Sequence, residues 1–102
     1  MMGSIVDINA IYQPSENVIS KDIEGQFMIV PLISGVGNLN EEIFQLNTTG
    51  SAFWKKLDGK TSLGDIAVSL TMEFEAPYET IKRDIIRLVD QLIKKKFIFE
   101  VR

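Results

Sequence analysis

The sequence predicts an α+β domain, in which a three-stranded antiparallel sheet is followed by a three-helix bundle and a short C-terminal strand. Three observations carry this expectation. The first half holds apolar, branched runs of strand length separated by turn-rich breaks. The second half changes to apolar residues at helical spacing. Between them, the stretch from Leu46 to Ile66 reads as a strand end, a capped short helix, a stop and a restart.

Residues 1–16 read as an N-terminal arm: Ile5, Val6, Ile8, Ile11 and Tyr12 follow no clear period and are broken by Pro14-Ser15. The domain proper spans 17–102. Val18-Ile19-Ser20-Lys21-Asp22-Ile23 forms a first strand, and Asp22-Ile23-Glu24-Gly25 supplies the turn chemistry before the next. Gln26 to Ile33 is apolar enough for a strand buried on both faces, with pairing expected to stop or bulge at Pro31. Ser34-Gly35-Val36-Gly37-Asn38 lacks the lysine of a phosphate-binding loop and opens no long helix, so it reads as a hairpin loop. Glu42 to Leu46 makes the third strand. Its alternation sets Phe44 and Leu46 on one face, with Ile43 and Gln45 on the other.

Three helices follow, over about 48–57, about 62–75 and from Tyr78, just after Pro77, to about Lys95. Asp58-Gly59 ends the first, and Ser62 with Asp65 opens the second. The second places Leu63, Ile66, Ala67, Leu70 and Phe74 on one side. In the third, Ile81, Ile85, Leu88, Val89 and Leu92 form the core stripe, and Lys94-Lys95-Lys96 complement the negative end of the helix dipole. Phe97 to Val101 reads as a strand docking back on the sheet. This order resembles a winged helix with its wing placed first. Trp54, on a short helix, is expected in the core.

The third helix carries more apolar surface than a three-helix core requires. Ile86 and Ile93 widen the stripe past Val89, with Lys82 on the same flank and Arg83 further round. One reading packs Ile86 and Ile93 under the sheet or the arm; the other makes them the wall of a peptide groove edged by bases.

Composition narrows the chemistry. At 102 residues, with 45% hydrophobic and 25% charged, the chain suits one globular domain. It contains no Cys and no His, which removes thiol nucleophiles, Ser-His-Asp hydrolysis, Fe–S clusters and the usual structural zinc sites. The 14 acidic residues follow no metal-loop spacing, so no metal, cofactor or catalytic group is expected. The net charge of −3 is divided unevenly. Residues 1–50 carry one base and six acids, net −5, whereas residues 51–102 carry ten bases and eight acids, net +2. An acidic domain is a poor general nucleic-acid binder. No membrane span and no secretory signal are expected, which points to the cytoplasm.

The ordered set Leu46-Asn47-x-Thr49-Gly50-x-x-Phe53-Trp54-x-x-Leu57-Asp58-Gly59, followed by Ser62-Leu63-x-Asp65-Ile66, resembles the signature of the PqqD family, the small coenzyme PQQ synthesis protein D and its relatives. The resemblance extends upstream through the Asn17–Ile33 hairpin and downstream through the last helix, leaving out the arm. It implies a RiPP recognition element: a non-catalytic peptide chaperone that binds the leader of a ribosomally made precursor peptide. The leader is then delivered to a modifying enzyme, in PQQ biosynthesis a radical S-adenosylmethionine (radical SAM) enzyme. It also implies that the leader adds as a strand on the edge of the third strand and lies against the third helix. Carried onto this chain, the docking edge is Glu42, Ile43, Phe44, Gln45 and Leu46. The facing wall is Lys82, Arg83, Ile86, Val89 and Ile93, which favours the groove reading of Ile86 and Ile93. The competing expectations are a winged-helix DNA-binding regulator and a structural subunit that forms a homodimer through the same strand edge.

Overall fold

The computed structural model describes residues 6–32 and 43–101. Its elements run β1 (Ile11–Pro14), β2 (Val18–Ile23), β3 (Gln26–Pro31), β4 (Phe44–Leu46), α1 (Thr48–Lys55), α2 (Leu63–Phe74), α3 (Tyr78–Lys94) and β5 (Ile98–Val101). The α+β architecture is the expected one: an antiparallel β2-β3-β4 sheet, three helices and a C-terminal strand.

The β2–β3 hairpin turns on Glu24 and Gly25, at φ of 52° and 83°, the paired positive values whose twist matches that of the flanking strands. Its register runs from Ile23↔Gln26 to Val18↔Pro31, and β3 ends at the proline. β3 is buried on one face only, contrary to expectation. Phe27 and Ile29 enter the core, while Met28 and Val30 are half-buried, because the helices pack on a single side of the sheet. β4 pairs with β3 through Ile29↔Phe44, Met28↔Gln45 and Phe27↔Leu46. Leu46 is buried and Phe44 packs against the core, whereas Ile43 and Gln45 face outward. Glu42 and the Ser34–Asn38 loop lie outside the described residues.

The described part of the N-terminal segment, from residue 6, packs into the core. Ala10 and Tyr12 are buried, and β1 pairs antiparallel with β5 from Ile11↔Val101 to Pro14↔Ile98. The expected docking of the C-terminal strand on the main sheet is therefore corrected: β5 and β1 form a separate two-stranded sheet. The backbone shows why. Lys96, at φ 63°, turns the chain directly after α3, and Phe97 N–H returns to the Leu92 carbonyl at 3.0 Å. β1 is already held on the helical side, where Leu63 N–H donates to Ala10 O at 3.0 Å and Gly64 N–H to Ile8 O at 2.8 Å.

The helix boundaries follow the caps. Asn47 Oδ1 accepts from Gly50 N–H at 2.7 Å to start α1, and Ser62 Oγ accepts from Asp65 N–H at 3.2 Å to start α2. Between them Asp58 gathers three donors: Lys60 N–H at 2.8 Å, Thr61 N–H at 2.9 Å and the Thr61 hydroxyl at 3.0 Å. Glu75, in the left-handed region at φ 52°, closes α2, and Pro77 precedes α3. Phe53, Ile29, Leu63, Ile66, Leu70, Ile85, Val89 and Leu92 are the fully buried centre, and Trp54 is buried beside them, as expected.

Candidate functional site

β4 is an edge strand: β3 pairs with one side of it, and no described strand pairs with the other. Beside that edge runs an open groove of about 260 Å³ between β4, the start of α1, and α3. Leu88 and the rim of Leu46 give it an apolar floor laid over the fully buried Phe53 and Ile85, with Phe44 and Gln45 as one wall and Asp84, Arg87 and Gln91 as the other. Gly50 lies in the same lining, and a Cβ there would meet Asn47 Oδ1 at 3.1 Å and Leu46 Cδ2 at 3.2 Å. Asn47, Gly50 and Phe53 of the sequence motif thus shape the groove as well as the helix start.

The structure brings Phe44, Gln45 and Leu46 together at the groove, with Ile43 exposed just before them. The α3 residues expected opposite them are placed differently. Val89 is fully buried and belongs to the core. Lys82, Arg83 and Ile86 surround a separate shallow hollow with Glu79 and Arg87, and Ile93 packs partly buried against the core. The α3 side is instead Asp84, Arg87 and Gln91 with Leu88 beneath them; Asp84, Leu88 and Gln91 are spaced i, i+4 and i+7, and Lys95 continues that stripe. At 100° per residue, this stripe and the Lys82–Ile86–Ile93 stripe each lie roughly 85° from the core direction, on opposite sides. Only the Ile86–Ile93 shoulder is legible as an apolar flank in the sequence. Which flank meets β4 depends on how β4, α1 and α2 lead into α3, and helical periodicity does not contain that information.

Polar groups of both signs line the groove. Lys95 Nζ stands 5.8 Å from the centroid of the Phe44 ring, a cation–π distance that places a positive charge at one end. Arg87 and Asp84 border the middle and the far end, and among the described residues neither has an ion-pair partner within 4.0 Å. Lys94, by contrast, is engaged by Asp90 at 3.2 Å. Displaced titrations lie elsewhere. Burial pushes the Tyr12 phenol up, helped by Glu100 and Asp7, and the Lys60 N–H leads the donors that hold the Asp58 carboxyl below its usual range. No group of three His, Cys, Asp or Glu side chains among the described residues is placed to hold a metal ion. No described helix is long and apolar enough to cross a membrane. An unpaired strand edge beside an apolar trough can satisfy the backbone of an extended peptide and receive its alternate side chains.

Comparison with known proteins gives matches of the same kind. Residues 22–98 match the family model for coenzyme PQQ synthesis protein D. A protein of Gluconobacter oxydans (strain 621H) called PqqA binding protein is 36% identical over 55 residues, which are 54% of this chain. That match spans 57% of the relative's own length. The fold is similar to TbiB1 in complex with the TbiA(beta) leader peptide, with TM-score 0.67 and 22% identity, covering 84% of this chain and 93% of that one. It is also similar to the PqqD truncation of Methylobacterium extorquens PqqCD, described as a functional, stand-alone RiPP recognition element. That match has TM-score 0.74 and 17% identity, covering 94% and 96% of the two chains. At these identities the two likenesses show a shared fold.

Proposed function

The chain belongs to the PqqD family, and from that premise we propose that it binds the leader of a ribosomally synthesised precursor peptide on the open edge of β4 and presents it to a modifying enzyme. The observation that carries this reading is the coincidence of an unpaired edge, Phe44 to Leu46, with an apolar trough formed by Leu88 and Phe44 above the buried Phe53. The peptide would extend the sheet as a fourth strand. Its inward side chains would fill the trough, while the edge N–H and C=O groups of β4 gain partners they otherwise take from water.

Recognition is the whole of the chemistry proposed. With neither His nor Cys in the chain, the groove's charged groups, Asp84 and Arg87, and Lys95 over the Phe44 ring at its end suit orientation of a peptide better than proton or acyl transfer. The bond-making belongs to the partner enzyme, of the radical SAM class in the family reading, and the pair would act in the cytoplasm. The names of the Gluconobacter relative and of the TbiB1 complex support a peptide ligand. Affinity should be moderate, because ordering a flexible leader offsets part of the interaction energy.

Calorimetric titration tests the reading. A PqqA-type precursor peptide and its isolated leader should bind equally well, the core segment and duplex DNA not at all. Binding confined to the core segment, or to DNA, would overturn it.

A further inference from the structure

Resting on that reading, we infer that the groove has a charge polarity: it selects a leader in which a carboxylate follows the apolar anchor residue, and Lys95 is the residue that reads it. Lys95 is exposed and sits in the turn that ends α3, with its ammonium over the Phe44 ring at 5.8 Å. It has no carboxylate within ion-pair distance among the described residues, whereas its neighbour Lys94 is held by Asp90. A cation parked on an aromatic face beside an open strand edge is pre-positioned and still able to accept an anion.

The order of the motif follows from the chain directions. Contact with Lys95 puts Phe44 at the carboxyl end of α3, and the groove runs from there past Leu46 and Asn47 towards Asp84. A strand added antiparallel to β4, as β3 is on its other side, runs from Leu46 towards Phe44. Its apolar anchor would lie over Leu88 and Phe53, and the residues after it would approach Lys95. Leu88 and Lys95 are seven residues apart, about 10.5 Å along the helix. The lysine stem leans back towards the helix start, which shortens the gap. Two strand residues advance about 6.8 Å and return to the same face. The pattern expected is therefore apolar–x–acidic, read from amino to carboxyl end. Asp84 and Arg87, of opposite charge and close together along α3, leave the anchor's amino-terminal side without a net preference.

Selection from a displayed library of random twelve-residue peptides tests this, with parallel selections on the protein and on its Lys95→Glu variant. The protein should enrich peptides with Asp or Glu two positions after an apolar residue, and the variant should enrich Lys or Arg there. The best selected peptide should lose about two- to fivefold in affinity on Lys95→Gln, as an exposed ion pair allows, and the loss should shrink as salt rises. Peptides that shift the amides of residues 43–46 but show no acidic preference, or place the acid before the anchor, would overturn this inference and leave the peptide-binding reading standing. Enriched peptides that never perturb residues 43–46 would overturn both.

Discussion

Asn47 and Gly50 are tied at the lip of the groove: the Asn47 side-chain oxygen accepts the Gly50 N–H at 2.7 Å, and a Cβ on Gly50 would stand 3.1 Å from that oxygen. The same pair starts α1 and turns the edge strand into it. Asn47→Ala should therefore cost about 1 kcal/mol of stability, the usual loss of an N-cap. Thermal unfolding followed by circular dichroism measures this. An unchanged midpoint would show that the cap bond contributes nothing.

The two flanks of α3 separate by mutation. Leu88→Gln should weaken binding of a leader peptide by about tenfold or more, because it puts a polar amide on the trough floor. Ile86→Asp, on the opposite shoulder, should leave affinity within about twofold. Val89→Ala should act through the fold, costing about 2 kcal/mol for lost burial and the cavity left behind. Fluorescence anisotropy for binding and chemical denaturation for stability distinguish the three. A binding loss at Ile86 with none at Leu88 would exchange the roles of the flanks.

Removal of residues 1–14 should destabilise the domain severely. It deletes β1, leaves β5 without its partner and removes the Ala10 and Ile8 carbonyls that accept from Leu63 and Gly64. Tyr12→Ala alone should cost about 3 kcal/mol, within the range for a buried aromatic. Urea midpoints of the full chain and both variants measure this. A deletion variant as stable as the full chain would make the segment an appendage.

Asp58 supplies a pH dependence. Its carboxylate is exposed but accepts from Lys60 N–H, Thr61 N–H and the Thr61 hydroxyl, and these hold its folded-state titration below the ordinary carboxylate range. A depressed carboxyl contributes stability above its unfolded value, near 3.9, and loses it as pH falls through the lower folded value. Asp58→Asn should therefore lower stability at neutral pH and flatten the acid limb of the stability profile below about pH 4. Denaturation midpoints from pH 2 to 7 test this, and parallel profiles for the two proteins would contradict it.

Local signals were legible in the sequence, and relations set by the fold's handedness were not. Asp58-Gly59, Ser62 with Asp65, and Pro77 mark helix ends with short-range chemistry, and α1, α2 and α3 begin and end within two residues of the expected points. The Phe44–Leu46 alternation likewise told which side chains turn inward. The β1–β5 pairing joins residues almost a full chain length apart, and Pro14 interrupts what little alternation Ala10 and Tyr12 show. The one-sided burial of β3 is not legible in the sequence because Met28 and Val30 are as apolar as the residues that face the core. On α3 the periodicity marks one apolar shoulder, Ile86 and Ile93, whereas the flank that meets β4 carries only Leu88 among the polar Asp84, Gln91 and Lys95. The Asp84–Leu88–Gln91–Lys95 spacing could have been noticed, but its meeting with Phe44 is a product of chain path.

The most direct test uses isotope-labelled protein with an unlabelled leader peptide and records filtered nuclear Overhauser contacts between them. The account predicts cross-strand contacts from the peptide backbone to residues 43–46, with peptide side chains touching Phe44 and Leu88. Contacts confined to the Lys82, Arg83 and Ile86 hollow, or to β2, would contradict it.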